Sequence, residues 1–195
     1  MNCWDDITVY HRDPGPTGRA RIEDLCDVID DCLYNDAGFR FLEIGVFQGD
    51  VAEHLLAAYP TMEYTGIDPW LEQPSSVYKD DANNKSVLDS AKALSYSRTE
   101  RFGGRRNFVE SLSVSVAPTI DDGFFDFIYI DGNHSTEAVL EDITLWYPKA
   151  IRAIFGHDFA PGWETVTCGV LLAAQKIGFN PKICWPHSSV WYYIK

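Results

Sequence analysis

The sequence predicts an α/β domain: an open, seven-stranded, mostly parallel sheet with helices on both faces and an antiparallel last strand. Three observations predict it. Short apolar runs of strand length alternate along the chain with segments of helical periodicity, the pattern of a parallel sheet covered on both sides. The last two apolar runs are joined only by Pro186-His-Ser-Ser, too short for a crossover helix, so the final strand turns back antiparallel between its neighbours. The length, 195 residues with 46% hydrophobic content, suits one domain with a full core and is short for two. The chain is therefore read as a single domain over residues 1–195, with residues 1–16 as an N-terminal arm.

The elements follow in order. Ile22, Leu25, Cys26, Ile29, Cys32 and Leu33 recur at helical spacing, with Glu23, Asp24, Asp27, Asp30 and Asp31 on the opposite, solvated face. Residues 39–46 form the first buried strand, and Gly49-Asp50 opens a helix over 51–58 in which Asp50 and Glu53 have capping-box spacing. Residues 64–67 make the second strand, stopped by Asp68-Pro69. The polar stretch 77–101 is helical in its second half, around Val87, Leu88, Ala91 and Leu94. Residues 107–109 are a short strand and 125–130 a strongly apolar one. Ser135 caps a helix over 136–147 that Pro148 ends; 153–155 is a strand, and 167–177 a helix closed by Gly178. The tail offers strands at 183–185 and 190–194.

Charge narrows the partners. Asp plus Glu number 29 against 16 Lys plus Arg, for a net charge of -13. Such a field repels phosphate backbones, and only Arg101, Arg105 and Arg106 cluster against it, so a nucleic-acid partner is disfavoured. A cationic cofactor or a neutral acceptor suits this charge better. Five cysteines without a Cys-x-x-Cys pair read as reduced thiols. The N-terminus lacks the basic and apolar regions of a signal peptide, and no run approaches a membrane span, so the expected location is the cytoplasm, with no membrane partner.

In open α/β sheets ligands sit at the carboxyl ends of the strands, where strand order reverses. The first strand ends in Glu43-Ile-Gly45-Val46-Phe-Gln-Gly49. Gly45 can turn tightly and Gly49 leads into a helix N-terminus. The pattern is not Gly-x-Gly-x-x-Gly, and no Gly-Lys-Ser/Thr follows, so neither a dinucleotide fingerprint nor a P-loop is present. Glu43 gives a pyrophosphate nothing but gives an α-amino group a partner. Asp68 lies 23 positions after Gly45, at the end of the second strand, where an acid grips the hydroxyls of an adenosine ribose.

These motifs resemble the class I S-adenosylmethionine-dependent methyltransferases, which have a Rossmann-like sheet. The second half resembles their small-molecule and sugar O-methyltransferase branch (methyltransferase family 24 type). It carries Phe125-Asp-Phe-Ile-Tyr-Ile-Asp131-Gly-Asn-His134-Ser, a helix containing Asp142 and Trp146, and Ile154-Phe-Gly-His157-Asp158-Phe. The resemblance covers roughly residues 17–195. It implies that Glu43, Gly45, Val46 and Gly49 line the amino-acid end of S-adenosylmethionine, that Asp68 holds its ribose, and that Asp131 lies beside it. It also implies that Ser113 contacts the adenine, although Ser111 replaces the expected glycine. Trp70 either covers the adenine or simply packs. The family's Pro-Gly-Gly turn is replaced here by Lys149-Ala-Ile-Arg-Ala153.

At the reacting end, Asp131 closes one strand and His157-Asp158 the next, so Asp131, His157 and Asp158 are candidate ligands for a divalent metal, Mg²⁺ or Mn²⁺. The imidazole counts against Mg²⁺, since it prefers softer ions. His134, three residues beyond Asp131, matches the family's general base and titrates near 6.5 when unperturbed. His187 is expected to be solvent-exposed in the terminal turn. The implied reaction is methyl transfer to a hydroxyl of a small molecule or sugar. A non-catalytic cofactor-binding module, a nicotinamide-dependent oxidoreductase and a metal-dependent hydrolase are the rival readings, and the oligomeric state is not legible.

Overall fold

Phe125–Ile130 and Arg40–Ile44, two largely buried runs, pair in parallel in the interior of the sheet. The computed structural model describes residues 8–9, 20–33, 38–72, 84–184 and 187–195. Among these, the strands are β1 (Thr8–Val9), β2 (Arg40–Ile44), β3 (Glu63–Ile67), β4 (Arg106–Val109), β5 (Phe125–Ile130), β6 (Ala150–Gly156), β7 (Lys182–Ile183) and β8 (Trp191–Ile194). The helices are α1 (Ala20–Cys32), α2 (Asp50–Ala58), α3 (Lys85–Thr99), a one-turn α4 (Ser113–Val116), α5 (Thr136–Trp146) and α6 (Glu164–Ile177). No described helix is long and apolar enough to cross a membrane.

The strand order is β1-β7-β8-β6-β5-β2-β3-β4. Only β8 runs antiparallel, and it lies between β6 and β7 as the short final connection requires. The seven expected strands are present, and Thr8–Val9 adds an eighth at the edge, parallel to β7, inside the segment read as an arm. Two residues are too few to show a periodicity, so this strand had no signal in the sequence.

Alternation along each strand feeds two cores. Phe41, Tyr64, Phe127, Tyr129 and Phe155 face Leu25 and Ile29 of α1 and Leu55 and Leu56 of α2. Leu42, Ile44, Ile128, Ile130 and Ile154 face Ile143 and Trp146 of α5 and Val170 and Ala173 of α6. Helices therefore cover both faces.

Ser135 caps α5 by accepting from the Ala138 amide at 3.3 Å, and Gly178 ends α6 at φ 89. The expected capping box on α2 does not form. Asp50 is already the first helical residue, and the cap is Gly49, left-handed at φ 73 and without a side-chain bond. The left-handed conformation at this position favours glycine, which has no side chain to cap with. Where the Pro-Gly-Gly turn is missing, Tyr147–Lys149 forms a 3-10 turn and buried Lys149 donates to the Ile120 carbonyl at 2.6 Å.

The His187 side chain is buried, contrary to expectation. Its Nδ1 lies 2.8 Å from Asp24 Oδ2, and the Ser188 hydroxyl donates to the same carboxylate. Asp24, expected on the solvated face of α1, is itself only 3% exposed. A buried carboxylate needs polar partners, and the C-terminal turn supplies them.

Candidate active site

The strand order reverses between β2 and β5, and the carboxyl ends of these two strands open the site. Gly45 stands there at φ 89, and a Cβ on it would lie 2.1 Å from the Asp131 carbonyl. The chain leaves β2 by a turn that only glycine fits, with β5 held against it by the Asp131 amide on the Ile44 carbonyl at 2.8 Å. Val46 is buried in this turn with Trp70 and Ala91. Gly49 closes it, and its Cβ position lies 2.9 Å from Ser95 of α3.

Glu43, last but one in β2, is 2% exposed and accepts from the Tyr64 hydroxyl. Burial, only partly offset by that hydroxyl, pushes its carboxyl up to about 8. Near neutrality it therefore carries a proton. Asp68 follows β3 and braces two loops: Oδ2 accepts from the Phe47 amide at 2.8 Å and Oδ1 from the Trp70 amide at 2.7 Å. Burial raises its carboxyl despite these amides. Each oxygen keeps a further lone pair for a ligand hydroxyl.

Trp70 is buried, with a positive φ of 42, its indole donating to the Phe47 carbonyl at 2.9 Å and packing edge-on to Phe108. These contacts support the packing alternative. Ser113 opens α4 and donates to Asp142 of α5, whose carboxyl burial raises to about 6. That bond fixes the hydroxyl where the turn after β4 meets α5.

Beyond the ends of β5 and β6 lies an ionic network. Asp131 Oδ2 accepts from Arg21 Nη1 at 2.9 Å and from the Tyr129 hydroxyl at 3.1 Å. His134 Nε2 lies 3.0 Å from Asp158 Oδ2 and 3.5 Å from Asp131 Oδ1, with the Trp163 ring packed against it at a tilt, 4.9 Å between centroids. Burial alone would lower the His134 imidazole, but the two carboxylates overcome it and raise it to about 9. The expected value near 6.5 is thereby corrected: between two carboxylates the ring holds its proton at neutral pH. Burial would raise the carboxyls of Asp131 and Asp158, but the histidines beside them hold both below the ordinary range.

Among the described residues, the ligand atoms that converge within 4.8 Å of one another belong to Asp131, His134 and Asp158. His157, expected as the third ligand, is outside this group. Its Nδ1 is 2.8 Å from Asp158 Oδ1 and its Nε2 is 3.3 Å from the Ser189 hydroxyl, so the ring braces Asp158 against the C-terminal turn. Two carboxylates and an imidazole fit a divalent ion that takes mixed oxygen and nitrogen donors, Mn²⁺ more readily than Mg²⁺. Such an ion would have to replace the His134 proton. Arg21, Tyr64 and Trp163 escaped the sequence reading. None sits in a motif, and each reaches the site only through the tertiary fold.

Comparison with solved structures returns the same architecture. A Staphylococcus aureus protein assigned as a caffeoyl-CoA O-methyltransferase aligns at TM-score 0.64 and 14% identity, over 93% of this chain and 86% of that one. The apo structure of CalS11, a TDP-rhamnose 3'-O-methyltransferase of calicheamicin biosynthesis, aligns at 0.55 and 15% identity, over 89% and 78%. The O-methyltransferase TomG of Streptomyces achromogenes, of tomaymycin synthesis and solved with S-adenosylmethionine, aligns at 0.56 and 14%, over 89% and 77%. At these identities they show a shared fold. No curated protein matches the chain in sequence. A family model described as a methyltransferase domain matches residues 42–159, from β2 to the Asp158 turn, and the chain belongs to that methyltransferase family.

Proposed function

We propose that this methyltransferase takes its methyl group from S-adenosylmethionine and transfers it to a hydroxyl of a small molecule or sugar. The observation that carries the reading is the meeting of Glu43, the Gly45 turn and Asp131 at the point where strand order reverses, with Asp68 at the next strand end. Glu43 suits the cofactor's ammonium, Asp68 its ribose hydroxyls and Ser113 its adenine edge. His134, beyond Asp131, faces the transferred methyl and takes the acceptor proton. The acceptor oxygen displaces sulfur in line, so the C–O bond forms as the C–S bond breaks, and S-adenosylhomocysteine leaves. His134 is protonated at rest, so it must first release that proton. The sulfonium charge beside it favours that release. The acidic surface supports a neutral acceptor over a nucleic acid.

A second reading is favoured by the converging ligand atoms of Asp131, His134 and Asp158. A divalent ion bound there would lower the pKa of the acceptor hydroxyl. The four described cysteines are free thiols, which supports a reducing compartment, and we read residues 1–195 as one cytoplasmic domain.

Incubation with labelled S-adenosylmethionine and hydroxylated acceptors tests both readings. The expected outcome is S-adenosylhomocysteine with an O-methylated product. Methyl on nitrogen or carbon would overturn the hydroxyl assignment. Loss of turnover in chelator, restored by Mn²⁺, would select the metal reading; full turnover in chelator would select His134 alone.

A further inference from the structure

We propose that Arg21 recognises the carboxylate of the cofactor's amino-acid end. The inference rests on S-adenosylmethionine being the cofactor and adds a residue to its site. That end of the cofactor is a zwitterion. Its ammonium suits Glu43, but its carboxylate enters a site walled by Glu43, Asp68 and Asp131, next to Asp50 at the start of α2. A carboxylate cannot settle among these groups without a cation.

Arg21 stands in the required place. It sits in the first turn of α1, with Nη1 2.9 Å from Asp131 Oδ2, and its charge also feels Tyr129, Glu43 and Asp50. The guanidinium thus lies at the end of β5, within electrostatic range of Glu43 in β2 and of Asp50 at the start of α2. The other arginines near α2 are committed elsewhere: Arg98 donates to the Gln48 carbonyl at 3.2 Å and lies 3.7 Å from Asp50 and 3.8 Å from Glu53, Arg101 pairs with Glu53 at 3.1 Å, and Arg105 donates to the Leu56 and Tyr59 carbonyls at 3.0 Å.

Arg21 is not needed to dock α1. Leu25 and Ile29 are fully buried, and the Asp24–His187 pair ties the helix to the C-terminal turn. Nor does Asp131 depend on Arg21 alone, since Tyr129 and His134 also reach it. The Arg21 side chain remains 31% exposed, within reach of an incoming ligand. A guanidinium offers five N–H donors in a planar fork, so it can keep Asp131 and still pair with a second carboxylate.

Two ligands separate this role from a structural one. S-adenosylhomocysteine carries the amino-acid end; 5′-methylthioadenosine keeps adenine, ribose and sulfur but lacks it. Calorimetry of both is run on the parent, Arg21→Leu and Arg21→Lys. Arg21→Leu should bind S-adenosylhomocysteine about tenfold or more weakly while holding 5′-methylthioadenosine within about twofold, and Arg21→Lys should fall between. The comparison is made within one variant, so a loss of stability common to both ligands does not mimic the result. Equal weakening of both ligands, or of neither, overturns the proposal. A parent that binds neither overturns it together with the cofactor reading, and is recognised as such.

Discussion

His134→Ala is expected to lower the rate of methyl transfer by about 10²–10⁴-fold, the usual cost of removing a positioned base. Its Nε2 sits between Asp158 and Asp131 and its ring packs at a tilt against Trp163, so the imidazole is oriented before any acceptor arrives. The alanine variant also leaves the two carboxylates without a shared cation, which costs stability independently of catalysis. His134→Gln is the sharper test: it keeps a polar side chain there but cannot accept the proton. It should lose the same rate with a melting temperature closer to the parent's. The two carboxylates raise the imidazole to about 9, so the fraction able to accept a proton grows with rising pH. The sulfonium shifts that window downward, so the parental rate should climb between about 6.5 and 9 and the variants should lose the climb. Parental turnover in His134→Gln across that range would place the proton acceptor elsewhere.

The second large effect is on cofactor binding and its pH dependence. Glu43 is fully enclosed, bonded to Tyr64 and raised to about 8 by burial, so near neutrality the free protein carries a proton there. Pairing with an ammonium requires the carboxylate, and binding must expel that proton. Affinity for S-adenosylhomocysteine should rise with pH by up to about tenfold per unit until about 8, then level off. Calorimetry in buffers of different ionisation enthalpy should show close to one proton released per ligand at pH 7. Glu43→Gln should flatten the profile, and an unchanged profile would show that Glu43 does not meet the ammonium. Stability of the free protein follows the same group with a definite sign. A folded-state pKa above the unfolded 4.5 favours the fold most at acid pH, and that contribution is lost as pH rises through about 8.

Much of this site was legible because strand ends are legible. Glu43 stands near the end of an apolar run and Gly45, Asp68 and Asp131 each follow one, and a parallel sheet delivers all such ends to one edge. What the sequence could not show was which side chains turn toward each other. The sequence reading grouped His157 with Asp131 and Asp158 and gave His134 the separate role of base, whereas the fold brings the His134 ring to both carboxylates, and the difference lies in the turn. Asp158 has a positive φ of 61, which breaks the strand alternation, and its two oxygens then divide between the histidines. His187 and Asp24 were read as exposed because a turn and an acidic helix face usually are. Their burial is a pairing between residues 163 positions apart, invisible to local periodicity. Arg21 belongs to the same class: one of two arginines, with Arg19, ahead of an acidic helix face, it reaches Asp131 only through the docking of α1.

The most direct test is calorimetric titration of the parent and Asp68→Ala with S-adenosylhomocysteine and with NAD. The parent should bind one S-adenosylhomocysteine per chain and show no comparable affinity for NAD. In Asp68→Ala the ribose loses charge-assisted bonds worth about 1.5–3 kcal/mol each, and the Phe47 and Trp70 amides lose their shared acceptor. Its affinity should therefore fall by at least tenfold. No heat with S-adenosylhomocysteine, tighter binding of NAD, or an unchanged affinity in Asp68→Ala would contradict the assignment of this strand-end site to S-adenosylmethionine.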